Sequence, residues 1–329
     1  MHKVIMPAVC LFLLIIQYGL PEGQNEVSMS SGYDAVMGSS GFESSWYPTA
    51  SRISGVCMKY SDTIIAVQSS GGGIENINLM RNGKYDLGIT EANVMVYGYK
   101  GIKYFEGKPY RRMKFVTNLY PVVFQMVVQK NSGINSVYDL KGKTFSPVKI
   151  DNTDIGEESA WQEIFDAAFN ISEKEIIWHS LSDEERGMAF KALIVDAVGF
   201  ETSCPSGSVL ETSARMPVKI LSVGGMERKD LINKYGWYKP WTIPAGTYAG
   251  QKTDVETVAV DGVIIADERV SERVVYDLIS TLYGEGLDLI RSVHEMSSYI
   301  NLDNALSGKG PVPLHPGAEK FYREKGLIK

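Results

Sequence analysis

The sequence predicts an α/β fold of two hinged lobes with a ligand cleft between them. Apolar strands alternate with helical segments, and glycine turns follow the first two strands. Two long apolar strands, at 120–129 and 255–266, bracket a middle α/β unit. Helices between consecutive strands favour parallel pairing. Two strands that both cross between the units would join two lobes, an arrangement that hinges and closes on a ligand.

The N-terminus has the pattern of a secretory signal peptide. Lys3 precedes an apolar run at 4–20, which a polar stretch at 21–31 follows. A basic start, a short apolar core and a small or polar region are typical of such a leader. We therefore expect a signal peptide over residues 1–24 and an exported, periplasmic protein. An uncleaved N-terminal anchor, which would tether the protein to the membrane, is the alternative.

The bulk composition is that of a globular protein. Of the 329 residues, 44% are hydrophobic, and removal of the leader leaves about 300 residues, enough for one large or two medium domains. The net charge of -6 and the pI near 5.4 argue against a nucleic-acid partner. Outside the leader the cysteines are Cys57 and Cys204. They could pair in an oxidising compartment, but two buried thiols are the simpler interpretation.

The first half of the chain repeats the order strand, glycine turn, helix. A strand at 34–37 leads into the loop "GSSGFESSWYP" and a helix at 48–60, and a strand at 63–67 leads into the turn "SSGGG" and a second helix. A third strand is expected at 85–89. Ligands of open α/β sheets bind at the carboxyl ends of the strands. Both loops therefore face one crevice.

The middle unit and the C-terminus follow the same logic. A turn, a short helix and a strand occupy 132–145, and an amphipathic helix follows at 157–169. Strands are expected at 196–200 and 218–223. After the second long strand, Ser271 is the expected N-cap of a helix with an apolar stripe.

The sequence contains no recognisable catalytic set. Its histidines outside the leader are His179, His294 and His315, and no serine lies in a G-x-S-x-G elbow. "HEMSS" lacks the second histidine of a zinc-protease helix, "GKT" lacks the upstream glycine of a P-loop, and no C-x-x-C pair is present. We therefore expect a protein without catalysis, metal or cofactor, and surface or core roles for His179 and His315.

Three segments resemble one known family. They are "LYPVVFQMVVQKNSGINSVYDLKGK", "TIPAGTYAGQKTDVETVAV" and "PVPLHPGAEKFYREKG". The pattern I-P-A-G-T-Y-x-G-Q closely resembles the TAXI family, the extracytoplasmic solute receptors of tripartite ATP-independent periplasmic (TRAP) transporters. The resemblance runs from Ala35 to Gly326. It implies a two-lobed periplasmic-binding-protein fold of type II, with lobe 1 formed by 25–122 plus 265–329 and lobe 2 by 123–264.

The resemblance also implies a function. Family members capture a small solute, often glutamate or a related amino or organic acid. They deliver it to a membrane permease driven by an ion gradient. By position, the ligand-facing residues of this chain would be Ser39, Ser40, Gly41, Glu43, Ser44, Trp46, Tyr47, Ser70, Gly71, Gly72, Glu91, Asn93, Tyr120, Asn152, Thr153 and Glu201.

Acidic residues stand where the family has small or polar ones. Glu43, Glu91 and Glu201 each fall in a loop expected to face the cleft. Like charges in a poorly hydrated cleft repel a ligand carboxylate. We therefore expect a ligand with an amine, or a neutral one, rather than a plain dicarboxylate.

Two structural interpretations stay open for these loops. The further acids Asp154, Glu157 and Glu158 either compete with a ligand carboxylate for the dipole of their helix or are ordinary first-turn acids that face water. The aromatic side chains of Trp46, Tyr47 and Tyr120 either form cation–π walls or pack the loop onto its lobe.

Two other functions compete with the receptor. One is a secreted enzyme on the same fold, against which the missing catalytic set argues. The other is an envelope interaction or signalling protein whose cleft has lost its ligand. A receptor should be stabilised by some metabolite, whereas a ligand-free interaction protein should not.

Overall fold

The computed structural model describes residues 32–42, 44–147 and 158–329. They form a mixed sheet of ten strands with helices between them, which confirms the predicted α/β class. The strands are β1 (Ala35–Gly38), β2 (Ile65–Gln68), β3 (Leu87–Glu91), β4 (Met113–Gln129), β5 (Thr144–Ser146), β6 (Ile177–Trp178), β7 (Ala197–Thr202), β8 (Val218–Leu221), β9 (Lys239–Ile243) and β10 (Val255–Asp267). The helices are α1 (Trp46–Ser61), α2 (Gly73–Arg81), α3 (Ala92–Lys100), α4 (Glu158–Phe169), α5 (Asp183–Lys191), α6 (Gly207–Arg215), α7 (Gly225–Lys234), α8 (Glu272–Leu282), α9 (Leu287–Arg291) and α10 (Pro316–Glu324).

The sheet order is β2-β1-β3-β10-β4-β7-β5-β6, with β8 on β4 and β9 on β10. At one end β1 pairs in parallel with β2 and β3, and at the other β5 pairs in parallel with β6 and β7. These are the two sets of parallel strands that the alternating pattern predicts. The long strands β4 and β10 lie between them and pair antiparallel.

β4 is longer than the sequence indicates. A strand was expected at 120–129, but β4 begins at Met113. Polar Thr117 and Asn118 interrupt the apolar pattern before residue 120, although both are buried. The Thr117 hydroxyl and that of Tyr283 lie 2.6 Å apart, and the Asn118 amide nitrogen donates to Asn304 at 3.2 Å. Buried polar groups with partners cost little, so the strand tolerates them.

The antiparallel pairing of β4 with β10 changes register at Gly262 of β10. Val263 pairs with Asn118, whereas Asp261 pairs with Pro121, so the register shifts at Gly262. A side chain at Gly262 would approach the Tyr120 carbonyl oxygen at 3.1 Å. A bulge bends its strand and increases its local twist. The register shift therefore lies in the pair of strands that stands between the two sets of parallel strands.

Helices α1 and α8 pack against each other beside the first set of strands. The apolar residues Ile53, Val56 and Cys57 of α1 are buried, and α1 begins two residues earlier than expected. The Ser271 side chain accepts a hydrogen bond from the Val274 nitrogen at 3.3 Å, which confirms it as the N-cap of α8.

The second set of strands has an aromatic core. The Phe145 ring on β5 packs edge-on against Trp161 of α4, with 5.1 Å between the ring centres, and Phe124 of β4 packs on the same tryptophan at 5.2 Å. Gly199 of β7 lies beneath them, because a side chain there would meet both Phe145 and Trp161 at 2.6 Å. The absence of a side chain at Gly199 lets the rings reach the sheet.

Both described cysteines are free and buried. Burial raises the pKa of the Cys57 thiol to about 12 and that of the Cys204 thiol to about 11. Of the two interpretations, the structure supports buried thiols. Thiols with raised pKa values are poor nucleophiles, since the thiolate is the reactive form.

We predict that Gly199→Ala destabilises the protein by about 1–3 kcal/mol, because the added methyl group overlaps two aromatic rings. Gly187→Ala on α5 is the matched control. It meets no atom within 4 Å, and it should be neutral or stabilising by up to about 1 kcal/mol. Urea unfolding of both variants measures the difference. Equal stabilities would contradict the packing described.

Candidate functional site

Three of the predicted ligand loops meet at one edge of the sheet. Ser39 and Ser40 follow β1, Ser70 follows β2, and Glu91 ends β3. The third strand was expected at 85–89 but runs two residues further, which places Glu91 at its carboxyl end. Because β1 is parallel to both neighbours, these ends lie side by side. The structure thus brings together residues that are up to 52 positions apart in sequence, from Ser39 to Glu91.

Asn76 of α2 ties these loops together. Its amide nitrogen donates to the Ser39 carbonyl oxygen at 2.7 Å and to the Ile89 carbonyl oxygen at 2.8 Å. A side chain at Gly38 would approach the Asn76 amide oxygen at 2.2 Å, so glycine is required there. The second loop also contacts the first, because the Ser70 nitrogen donates to the Ser40 carbonyl oxygen at 3.4 Å.

The glycine loop before α2 is occupied by carboxylates of the chain itself. The Gly71 nitrogen donates to a carboxylate oxygen of Glu75 at 2.5 Å. A methyl group on Gly73 would lie 2.5 Å from a carboxylate oxygen of Glu91, so that carboxylate lies against the first residue of α2. Such loops hold anions through backbone N–H groups and the helix dipole. Here internal anions take those positions.

The Glu91 carboxyl group is in an environment that disfavours its charge. The residue is 8% exposed, and burial raises its pKa to about 7 although its own backbone N–H and the Thr90 hydroxyl lower it. On the other side Glu91 faces Gly262 of β10, which has no side chain. The group therefore titrates near neutral pH and can accept or donate a hydrogen bond.

Two further predicted residues bring buried polar atoms to this region. Among the described residues the Ser40 hydroxyl oxygen has no hydrogen-bond partner. Neither polar atom of the fully buried Asn93 amide, in the first turn of α3, meets hydrogen-bond geometry with another described residue. Unsatisfied buried polar groups are costly, so they are candidates for contact with a ligand.

The structure favours packing for two of the three predicted aromatic residues. Tyr120 is 1% exposed, and its hydroxyl lies 3.3 Å from that of Thr49. Trp46 is also buried and lies beside Gly262. Tyr47 is half-buried, and its ring packs edge-on against exposed Phe42 with 4.6 Å between ring centres. A contact of Tyr47 with a ligand stays a prediction.

The remaining predicted residues divide into three groups. Gly41, Ser44 and Gly72 lie in the described loops, and the Ser44 hydroxyl accepts from the Trp46 nitrogen at 3.3 Å. Glu201 is on β7, three strands from β3, which is about 14 Å at ordinary strand spacing. The structure therefore does not place Glu201 beside Glu91. Glu43, Asn152 and Thr153, like the expected leader and the acids Asp154 and Glu157, lie outside the described residues.

The segment 243–251, with the pattern I-P-A-G-T-Y-x-G-Q, has a structural role. The Tyr248 hydroxyl accepts from the Ser206 nitrogen at 2.8 Å and donates to the side chain of Gln125. The Gln251 amide nitrogen donates to the carbonyl oxygens of Ile243 and Pro244. The motif therefore fixes the connection from β9 to β10 against the middle unit.

The ion pair of Asp261 with Lys239, next to the register shift at Gly262, was not predicted from the sequence. Asp261 is 1% exposed, and the Lys239 ammonium lies 2.5 Å from its carboxylate and also contacts the Ser307 hydroxyl. The signal was present, because Asp261 is a single acid within the apolar run "VAVDGVII". A buried charge requires a partner, which could have been sought.

A cavity of about 820 Å³ lies elsewhere, between α5, β7 and α6. Val198, Phe200, Lys191 and Arg215 are among the residues that line it. Both cations stand in the last turn of their helices, where the helix dipole favours them. The cavity adds no residue to the site described above.

Two of the described histidines have local structural partners, and the third, His179, is exposed. Buried His315 caps α10 by accepting from the Gly317 nitrogen at 3.2 Å, and His294 accepts from the Met296 nitrogen at 3.1 Å. The core role expected for His315 is confirmed. In the described ranges no group of His, Cys, Asp and Glu side chains could hold a metal ion, and no helix has the length and apolar character to span a membrane.

The architecture matches that of periplasmic binding proteins. PhnD1 from Prochlorococcus marinus (MIT 9301), solved in complex with methylphosphonate, is 12% identical with a TM-score of 0.53, and the match covers 90% of this chain and all of that one. A structure described as a periplasmic transporter is 12% identical with a TM-score of 0.50 over 89% and 92% of the two chains. The alkanesulfonate-binding protein SsuA from Xanthomonas axonopodis pv. citri, bound to MOPS, is 15% identical with a TM-score of 0.48 over 90% and 94%.

The fold is therefore that of the periplasmic substrate-binding proteins, as predicted. Residues 37–326 match the model of the NMT1-like family. The chain belongs to that family.

We predict that the stability of the protein falls as pH rises through the titration range of Glu91. The folded protein holds the Glu91 proton up to a pKa of about 7, whereas the unfolded chain releases it near 4.5, so burial of the charge costs more as pH rises. Relative to Glu91→Gln, which does not titrate, the wild type should lose about 3 kcal/mol between pH 4 and pH 8.

Urea unfolding at both pH values measures this effect, and Glu285→Gln, at an exposed position, is the control. A stability difference between wild type and Glu91→Gln that does not change with pH would contradict the environment described for this carboxyl group.

Proposed function

We propose that the protein is a periplasmic solute-binding receptor that captures a small polar metabolite and delivers it to a TRAP-type membrane permease. The observation that carries the proposal is the group of loops at the carboxyl edge of β1, β2 and β3. They combine a buried carboxyl group with unsatisfied Ser40 and Asn93, in a fold whose ligands bind at that edge. The predicted leader supports export, either as a free protein or as one tethered by an uncleaved segment.

The mechanism is ligand-induced closure without catalysis. In this proposal lobe 1 comprises 25–122 and 265–329, lobe 2 comprises 123–264, and both chain crossings are made by β4 and β10. The register shift at Gly262 lies at the crossing. A solute that contacts both lobes would stabilise the closed form, and the permease would recognise that form. The Glu201 side of the cleft, together with Asn152 and Thr153, would belong to lobe 2.

The ligand class follows from the carboxylates in the glycine loop. PhnD1, which shares the fold, binds methylphosphonate, an anion. Here Glu75 and Glu91 take the positions where a bound anion would be held. A ligand carboxylate would meet a like charge at this wall, whereas an amine would meet an opposite one. We therefore propose an amine-bearing or neutral ligand, from the amino acid or related metabolite class.

We predict that putrescine raises the melting temperature of the protein and that succinate, with the same four-carbon span and opposite charge, does not. The full chain is expressed and purified from the envelope fraction, and γ-aminobutyrate provides the intermediate case. A bound ligand at one hundred times its Kd stabilises by about 2.7 kcal/mol. Glu91 is mostly protonated at pH 6 and mostly ionised at pH 8, so amine affinity should rise about tenfold between them.

Glu91→Gln should remove this pH dependence, and exposed Glu285→Gln should leave it unchanged. The proposed ligand class is wrong if succinate or glutamate binds at micromolar concentration while amines and uncharged solutes do not.

The TRAP partner is testable by the energy source of uptake. We predict that uptake of the identified solute by cells that express receptor and permease stops when an ionophore collapses the ion gradients. Depletion of ATP at a maintained gradient should leave uptake intact. The reverse result would assign the receptor to an ATP-driven importer.

A further inference from the structure

A cluster of aromatic and polar side chains joins segments that come before and after β4 in the sequence. Tyr97 on α3 and Tyr104, in a short 3₁₀ turn after α3, precede β4. Glu163 on α4 and Trp237, between α7 and β9, come after it. In the proposed lobes the first two belong to lobe 1 and the last two to lobe 2. These contacts therefore join the two proposed lobes through residues outside β4 and β10, the strands that run between the lobes.

The centre of the cluster is the Glu163 carboxylate, which is 2% exposed. It accepts hydrogen bonds from the Tyr238 hydroxyl at 3.0 Å and from the Trp237 ring nitrogen at 3.3 Å, both within lobe 2. From lobe 1 the Tyr97 hydroxyl and the Lys103 ammonium approach the same carboxylate. The Tyr97 hydroxyl influences this carboxylate as a hydrogen-bond donor would, although the pair falls outside strict hydrogen-bond geometry. A carboxylate from one lobe thus faces a hydroxyl and a cation from the other.

Two more contacts cross at the same place. The Ser159 backbone nitrogen in the first turn of α4 donates to the Tyr104 hydroxyl at 2.9 Å. The Trp237 ring stands perpendicular to that of Tyr97, with 5.7 Å between ring centres, and packs against the hydrophobic cluster that includes Ile77, Met95 and Tyr97. Trp237, which is half-buried, therefore packs against a core cluster made mainly of lobe-1 residues.

We propose that this cluster, formed by Tyr97, Lys103 and Tyr104 of lobe 1 with Ser159, Glu163 and Trp237 of lobe 2, is a latch that holds the lobes closed without ligand. The inference rests on the proposed two-lobed receptor. The latch acts next to the ligand site, because Tyr97 lies one turn after Asn93 on α3, within reach of its side chain. A latch of this kind raises ligand affinity by increasing the fraction of the binding-competent closed form.

The latch is tested by the distance between two spin labels in the ligand-free protein. Cysteines are introduced at exposed Arg52 on α1 and Lys229 on α7, one in each proposed lobe. The native Cys57 and Cys204 are buried and should not react with the label. We predict that the wild type gives mainly one distance and that Tyr97→Phe combined with Tyr104→Phe populates a second, longer one. Each lost contact should raise the longer-distance fraction up to about fivefold.

Tyr238→Phe is the matched control. It removes the same hydroxyl from the same carboxylate, but that bond lies within lobe 2. Phenylalanine keeps the ring packing in every variant, and the single Tyr104→Phe change alters only a half-buried side chain, so it serves if the double variant does not fold. An unchanged distance in the lobe-1 variants, or an equal change in Tyr238→Phe, would overturn the latch.

The test separates the latch from the ligand class, because no ligand is added. A longer distance in the lobe-1 variants together with a negative ligand screen supports the latch and rejects the ligand proposal. A positive screen with unchanged distances does the opposite.

Discussion

The rest of the structure depends on the antiparallel pairing of β4 with β10. These two strands connect the parallel strands at either end of the sheet, and through Gly262 and Glu91 the pairing reaches the candidate site. The pairing shifts register at two places; the shift at Gly262 admits the Tyr120 carbonyl and the Trp46 ring, and the ion pair of buried Asp261 with partly exposed Lys239 stands beside it. Loss of either partner of that pair would leave a buried charge or break a contact between β9 and β10. β4 and β10 are therefore the strands that link the two sets of parallel strands.

The candidate site differs from an ordinary anion cradle in one respect. Its backbone donors and helix start are the usual ones, but the negative charges come from Glu75 and Glu91 rather than from a ligand. The chain thus provides its own carboxyl groups at the wall, and within the described part of the chain the Ser40 hydroxyl and the Asn93 amide atoms meet no strict hydrogen-bond geometry. Helix α3, which begins directly after Glu91, carries Tyr97 toward Glu163. Ligand recognition and contact between the proposed lobes are therefore placed on one rigid element.

Much of the fold could be predicted from the sequence, because strand–turn–helix order, the Ser271 cap and the two long strands are local signals. The extent of β4 could not, because Thr117 and Asn118 break the apolar pattern, and their side chains find partners in Tyr283 and Asn304, 166 and 186 positions away. In the site, the position of Glu91 was predicted but its neighbours were not. That its carboxylate lies on Gly73 follows from the packing of α2 on β3, which no local pattern records. Trp46 and Tyr120 were predicted to be near the ligand, and both are buried in the core. Position in the sequence does not decide whether a ring faces a ligand or packs into the core.

The central claim is that a buried, titratable carboxyl group of this chain occupies the anion position of the cleft. The most direct measurement is the pKa of the Glu91 side chain, followed by the carboxyl ¹³C chemical shift of the labelled protein, with Glu91→Gln to assign the signal. The account predicts a midpoint near pH 7, which falls when putrescine is added because a cation favours the ionised form. A midpoint near 4.5, unchanged by any amine, would show a solvated carboxylate outside the cradle and contradict the account.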